Sequence, residues 1–418
     1  MGFNSEFLAN NSVILILSVL PAVFASIVIA LSFRPPLDRI IIRWRLPLIV
    51  LTYLVTRIIL FFVIYIIFGD KPVSNDNEWW QWIGLGALNG ELPYRDFRCS
   101  HSPLFPYLMA IPFSMWNQDG SAVMIFVAFD LVCIALLYKL SKLVMSVKVA
   151  QDVVWLWVVN PVVWITTVRY AQDETIIVTF LLLAAYLYMR DTRWWYAMIF
   201  ALGVLFTKFT TAAGMFVVYS FSRNKLRDAL VAGVLMVVVL SIFTVQGADL
   251  TIPVRSEGAT IEGVSITVVL DRLTGQAITS DIYGICTLIA FFAFGVMLFV
   301  CHRRRLSVLD TLCVCLMALM LFSPKAWKFY RLWYMGPLTL WTVKNGRYNR
   351  YAVYSSALCL FDDFSFYAKT APAILAIMYV FAIAIIVLEI RYILDILGGS
   401  KSNRSDAVKQ PGKVCVEA

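Results

Sequence analysis

Long apolar runs separated by short polar segments set the pattern of this chain. Residues 13–32, 46–68 and 281–301 are apolar on every face, and each reaches the roughly 20 residues a helix needs to span hydrocarbon. Further runs lie at 121–138, 151–168, 174–189, 228–247, 306–323, 329–343, 351–361 and 371–390. A membrane barrel would alternate apolar and polar positions in strands of about ten residues, and this chain does not. The pattern predicts an all-α polytopic membrane protein with about 11–13 transmembrane helices. Two runs need separate treatment. Residues 195–221 are interrupted by TKFTTAAG, which predicts a hairpin of two short helices. PLFPYLMAIPFSMW (103–116) is short and holds three prolines, so it reads as a juxtamembrane or re-entrant helix.

Composition agrees: 61% of the 418 residues are hydrophobic and 15% charged, against about 45–50% and about 25% in soluble domains. No basic stretch precedes the run at 13–32, so it reads as a membrane helix, not a signal peptide. The net charge of +9 points to basic loops on one membrane face, with no nucleic acid as partner. Basic clusters stand at 34–45, 139–148, 190–193, 222–227, 301–305 and 344–350. With these cytoplasmic, segments 69–120 and 248–281 and the turns at 169–173, 324–328 and 362–369 lie outside. The expected organisation is one transmembrane domain over 1–395 and a disordered cytoplasmic tail over 396–418. The first outer loop, 69–120, is acidic: Asp70, Asp76, Glu78, Glu91, Asp96 and Asp119 face Lys71, Arg95 and Arg98.

That loop holds Asp76 and Glu78 just before Trp79, Trp80 and Trp82, and such aromatics settle at headgroup depth. Asn89-Gly90 and Pro93 mark turns, which predicts a short helix over about 77–88 and a second element beyond. The order Asp76…Trp80…Gly90-Glu91-Leu92-Pro93-Tyr94…Ser102-Pro103-Leu104…Tyr107 resembles the GT-C glycosyltransferases, multispanning enzymes that take a sugar from a polyprenyl-phosphate carrier. Three later stretches are similar to further segments of that family. They are WVVNPVVWITTVRYAQDETIIVTFLLLAAYL (157–187), ALGVLFTKFTTAAG (201–214) and LFSPKAWKFYRLWYMGPL (321–338). Members with a D-x-D carry an acid where this chain has Ser74, which leaves Asp76 as the surviving acid.

Residue chemistry supplies candidates independently. Asp173 and Glu174 stand at a predicted helix start, where they either complement the dipole or serve a site. Lys208 lies within an apolar hairpin, where an ionisable group either snorkels or marks function. Lys325, Lys328 and Arg331 would be a basic trio on the outer face, suited to bulk anionic lipid or to one lipid phosphate. Sugar transfer from a phosphate leaving group needs a base for the acceptor hydroxyl and cations for the departing phosphate. The expected assignment makes Asp76 the base, puts Lys328 and Arg331 on the phosphate, and has Lys325 or Lys208 assisting. Glu78, Arg95, Asp96, His101, Asp173 and Glu174 would orient sugar or acceptor. No cofactor is required, and a divalent metal is compatible. The second outer loop, 248–281, suits covering the site or binding acceptor.

The resemblance implies a polyprenyl- or dolichyl-phosphate monosaccharide, mannose above others, as donor. It implies a lipid-linked or glycan acceptor and an active site on the outer or lumenal face of a prokaryotic plasma membrane or the endoplasmic reticulum. The rival class is a multispanning lipid or sugar transporter or flippase. Such proteins carry repeats and midplane charges at discontinuous helices, whereas the charges singled out here gather at one face.

Overall fold

The computed structural model describes residues 23–33, 37–69, 76–256, 261–274, 280–361 and 372–399. Asp70 and Lys71, the turn at 362–369 and the tail after 399 lie outside the described residues.

Helix α1 (Val23–Ser32) precedes α2 (Leu37–Tyr53). The second continues through π-helical turns at Leu54–Ile59 and Phe62–Ile67 into a 25-residue span, Arg43–Ile67. The segment after this span then folds into α3 (Asp76–Leu88) and α4 (Phe105–Met115), which pack on each other. With 11 residues, α4 is about 16 Å long at 1.5 Å per residue, too short to cross a bilayer alone. Next come α5 (Ser121–Val144), α6 (Val147–Val159), α7 (Pro161–Arg169, its second half π-helical) and α8 (Glu174–Met189). The hairpin follows as α9 (Trp195–Phe206) and α10 (Ala212–Ser220), then α11 (Lys225–Val245) and the short α12 (Ile252–Ser256). The last third is α13 (Ile266–Thr274), α14 (Ser280–Arg304), α15 (Val308–Phe322), α16 (Leu332–Asn345), α17 (Tyr348–Leu360) and α18 (Pro372–Gly399).

This is an all-α polytopic membrane architecture. Five described helices are long and apolar enough to cross a bilayer, or six if the bent α6–α7 pair counts as one span. That is fewer than the run count predicts. Helices α15, α16 and α17 have 15, 14 and 13 residues, about 20–22 Å each, and they lie inside the bundle where neighbouring helices shield them from lipid.

The basic loops meet at one end of the bundle. Arg45 pairs with Asp152 at 2.7 Å, Arg223 with Asp191 at 3.4 Å, and Arg350 with Asp395. Arg304 reaches the Leu397 carbonyl at 2.6 Å, and Ser220 meets His302 at 2.8 Å. At the opposite end the outer-loop segments meet. Ser102 N–H donates to the Thr207 carbonyl at 2.9 Å and Asp249 N–H to that of Tyr94 at 3.2 Å. The basic loops and the segments expected on the other face thus gather at different ends of the bundle.

Two apolar clusters hold these ends together. The larger joins α5, α6, α8, α15, α16 and α17. The smaller, around Trp80, Phe97, Phe105, Met109 and Phe126, seats α3 and α4 on α5. Between them, Arg57 and Asp130 form a fully buried ion pair at 2.9 Å, and the Trp157 indole donates to the other Asp130 oxygen at 2.8 Å. Breaking such a pair by removing one partner costs about 3–5 kcal/mol, so it fixes α2 against α5 and α6.

The second outer loop is anchored by a two-residue parallel pairing, β1 (Glu262–Gly263) with β2 (Lys325–Ala326). Gly263 has φ +93°, and a Cβ there would overlap the Ala326 carbonyl. Both facts require glycine. Gly263→Ala should destabilise the fold by about 1–3 kcal/mol, read as a lower thermal midpoint and faster proteolysis near residue 263.

Candidate functional site

The site is built around the turn between α7 and α8. Asn160 ends α6 and accepts the Val162 N–H at 2.9 Å, with Pro161 following it as the first residue of α7. That cap and the proline restart the helix at an angle of 50° to α6. Residues Tyr170–Asp173 then reverse the chain, with Ala171 held at φ +50°. This is a left-handed conformation that non-glycine residues rarely adopt. The Trp80 indole donates to the Ala171 carbonyl at 2.9 Å, fixing α3 over the turn.

Asp76, the first residue of α3, is exposed, and it accepts Gln172 Nε2 at 2.8 Å. The same nitrogen lies 3.1 Å from the Tyr170 carbonyl, so the carboxamide ties the acid to the turn. Below it Asp173 is fully buried. One of its oxygens accepts Lys208 Nζ at 3.0 Å and the other faces His101 Nε2 at 3.2 Å. A carboxylate only accepts, so the proton of the second bond sits on Nε2. Burial opposes ionisation of Asp173, but the Lys208 ammonium and His101 outweigh it and hold the carboxyl below the usual carboxylate range. His101 is itself fixed, stacked on Phe105 at 4.2 Å and meeting Trp80 edge-on at 4.9 Å.

Lys208 occupies the break between α9 and α10, 3.8 Å from Glu174 and 5.1 Å from the Tyr330 ring centroid. Glu174 is fully buried, and neither of its oxygens has a hydrogen-bond partner among the described residues. An orphaned buried carboxylate is costly unless a ligand or water completes it. On the far side of the turn Lys328 donates to Tyr170 Oη at 2.8 Å and sits 4.3 Å from that ring's centroid. Asp76, His101, Asp173, Glu174, Lys208 and Lys328 therefore converge on one turn from five separate segments.

The other expected site residues stand elsewhere. Arg331 was expected on the phosphate, but it is fully buried and paired with Glu389 at 2.9 Å. Its remaining nitrogens donate to the carbonyls of Ala326 (2.7 Å), Trp327 (3.2 Å) and Val264, so all three guanidinium nitrogens are engaged inside the fold. Lys208 likewise lies against acids inside the fold, 3.0 Å from Asp173 and 3.8 Å from Glu174. Arg95 and Asp96 bind each other at 2.8 Å on the surface. Asp96 also accepts the Leu92 N–H at 2.7 Å, and Arg95 holds its carboxyl down to about 2. This pair closes the 92–96 turn and stands apart from the cluster. Glu78 is exposed and lies about 200° around α3 from Asp76 at 100° per residue. Lys325 stands on β2 opposite Glu262.

Sequence reasoning did not single out Tyr170, Gln172 or Tyr330. The available signal was the polar stretch Tyr170-Ala171-Gln172-Asp173 in an otherwise apolar run. Among the described residues no group of three or more His, Cys, Asp or Glu side chains is arranged to hold a metal ion. No curated protein matches the chain, and no solved structure does. Residues 257–391, about a third of the chain, match the family model of the MptB C-terminal domain, a stretch that runs from the second outer loop through Lys325, Lys328 and Arg331 into α18.

Proposed function

We propose that this chain is a membrane glycosyltransferase of the GT-C type that moves mannose from a polyprenyl- or dolichyl-phosphate carrier to a hydroxyl of a lipid-linked or glycan acceptor. The observation that carries the reading is the convergence of Asp76, Asp173, Glu174, Lys208 and Lys328 on the 170–174 turn. The likeness of residues 257–391 to the MptB C-terminal domain supports it, since MptB is an alpha-1,6 mannosyltransferase of the GT-C type.

The acceptor oxygen attacks the anomeric carbon as the bond from that carbon to the phosphate oxygen breaks. The acceptor proton passes to the exposed Asp76 carboxylate, which Gln172 holds in place. The carrier phosphate departs with its added charge on Lys328, whose partner Tyr170 offers a hydroxyl beside it. Attack opposite the leaving group inverts the anomeric centre. The orphaned Glu174 oxygens take sugar hydroxyls, and Lys208 and His101 keep Asp173 ionised and fixed behind them.

The test is transfer by the full-length chain in proteoliposomes, with radiolabelled polyprenyl-phosphate mannose as donor and an alkyl mannoside as acceptor. Labelled disaccharide is the expected product. Movement of the labelled lipid across the bilayer without product would sink the reading in favour of a transporter. Lys328→Ala should lower kcat by about 10²-fold, the usual cost of losing one donor to a developing anion. Unchanged kcat in that variant would remove Lys328 from the phosphate.

A further inference from the structure

A cavity of about 270 Å³ lies between α11 and the α9–α10 hairpin, at the end of the bundle opposite the site. Its α11 wall is Ala229, Ala232, Gly233 and Met236, spaced so that all four share one helix face. The gap is encoded by small side chains: a Cβ built on Gly233 would meet nothing within 4 Å. Only 17% of the apolar window of α11 is buried, and Leu230, Val234 and Val237 on its other faces are exposed, as on a helix facing lipid. The volume is roughly twice the ~150 Å³ apolar cavity that takes one benzene, so it suits a hydrocarbon segment of roughly ten carbons.

One end of the cavity lies against a basic rim. Tyr219 lines the cavity and donates its hydroxyl to the Lys225 carbonyl at 2.9 Å. Tyr196 lines it too and donates to the Asp228 carboxylate. The loops there carry Arg190, Arg193, Arg223, Lys225 and Arg227 against Asp191 and Asp228, five cations to two carboxylates. Asp191 is matched by Arg223 and Asp228 by Arg227, so a local excess of positive charge stands at the mouth of an apolar slot.

We propose that this cavity holds one acyl chain of an anionic phospholipid from the adjoining leaflet, with the lipid phosphate on the Arg193, Arg223, Lys225 and Arg227 rim. The bound chain would wedge α11 against the hairpin whose tip carries Lys208. This inference is independent of the transferase reading.

The test uses the full-length chain purified in an uncharged detergent, titrated with phosphatidylglycerol, phosphatidylcholine or a polyprenyl phosphate, with bound lipid counted by native mass spectrometry. Phosphatidylglycerol should be retained at least about fivefold more tightly, and Lys225→Gln should remove about fivefold of that preference. Gly233→Leu places its Cβ where no atom lies within 4 Å and sends its branch into the slot, and leucine is the better helix former, so the variant should fold. Its retention of phosphatidylglycerol should fall by more than about tenfold, because several methylenes lose their place. Equal retention of the two lipids, or unchanged retention in Gly233→Leu, overturns the proposal. Preference for a polyprenyl phosphate over phosphatidylglycerol overturns it as well.

Discussion

Asp76→Asn should lower the sugar-transfer rate by about 10²–10⁴-fold, the range that a positioned general base supplies. The substitution isolates the base role because it disturbs little else. Asp76 is exposed at the start of α3, where it receives a hydrogen bond from Gln172 Nε2. An asparagine oxygen accepts that bond equally, and asparagine is as welcome at a helix start. What the variant loses is the capacity to take a proton from the acceptor hydroxyl. The deficit should lie in kcat, with KM for the donor within a few-fold of wild type, because ground-state contacts are kept. Glu78→Gln is the control: two residues on and facing away, it should transfer within about twofold to threefold of wild type, as surface changes usually do. Undiminished transfer by Asp76→Asn would refute the assigned base. An equal loss in Glu78→Gln would show that the loop's overall charge, and not one carboxylate, governs the rate.

The helical plan was legible because each of its features is local. TKFTTAAG breaks an apolar run, and the structure puts the hairpin break at Thr207–Lys208. The three prolines of 103–116 forbid a plain span, and α4 is indeed short. The grouping of the basic loops was legible too, since such loops are a property of segments and not of contacts. Partner choice was not legible, because it depends on pairs distant in sequence. Arg331 and Lys208 looked like cations awaiting a phosphate on an otherwise apolar background. The structure answers Arg331 with Glu389, 58 residues away inside an apolar run, and Lys208 with Asp173, 35 residues away. An acid inside a predicted span was itself a signal, since a buried carboxylate needs a cation. Gln172 escaped notice for a different reason. Its carboxamide is uncharged, and its role emerges only when α3 is laid over the 170–174 turn.

The buried position of Arg331 carries a stability effect as large as that of the Arg57–Asp130 pair. Arg331, Tyr334 and Tyr354 all donate to Glu389 Oε1, at 2.9, 2.6 and 2.7 Å, inside the bundle. The remaining guanidinium nitrogens hold carbonyls on β2 and beside β1. The residue thus ties the second outer loop to α18. Arg331→Met strands a buried carboxylate and releases those carbonyls, so it should cost about 3–5 kcal/mol and lower the thermal midpoint of the purified chain. Glu389→Gln keeps an acceptor for both tyrosines and leaves the carbonyl bonds intact, so its cost should be about half as large. The paired change Arg331→Met with Glu389→Gln should recover part of the loss of Arg331→Met alone, because no uncompensated charge remains. Arg331→Lys separates this role from phosphate binding. A lysine keeps the charge but not the fork that reaches three carbonyls. It should therefore unfold at lower temperature than wild type while retaining a transfer rate per folded molecule within a few-fold of it. A variant of wild-type stability with transfer reduced by about 10²-fold would return Arg331 to the phosphate and undo the structural assignment.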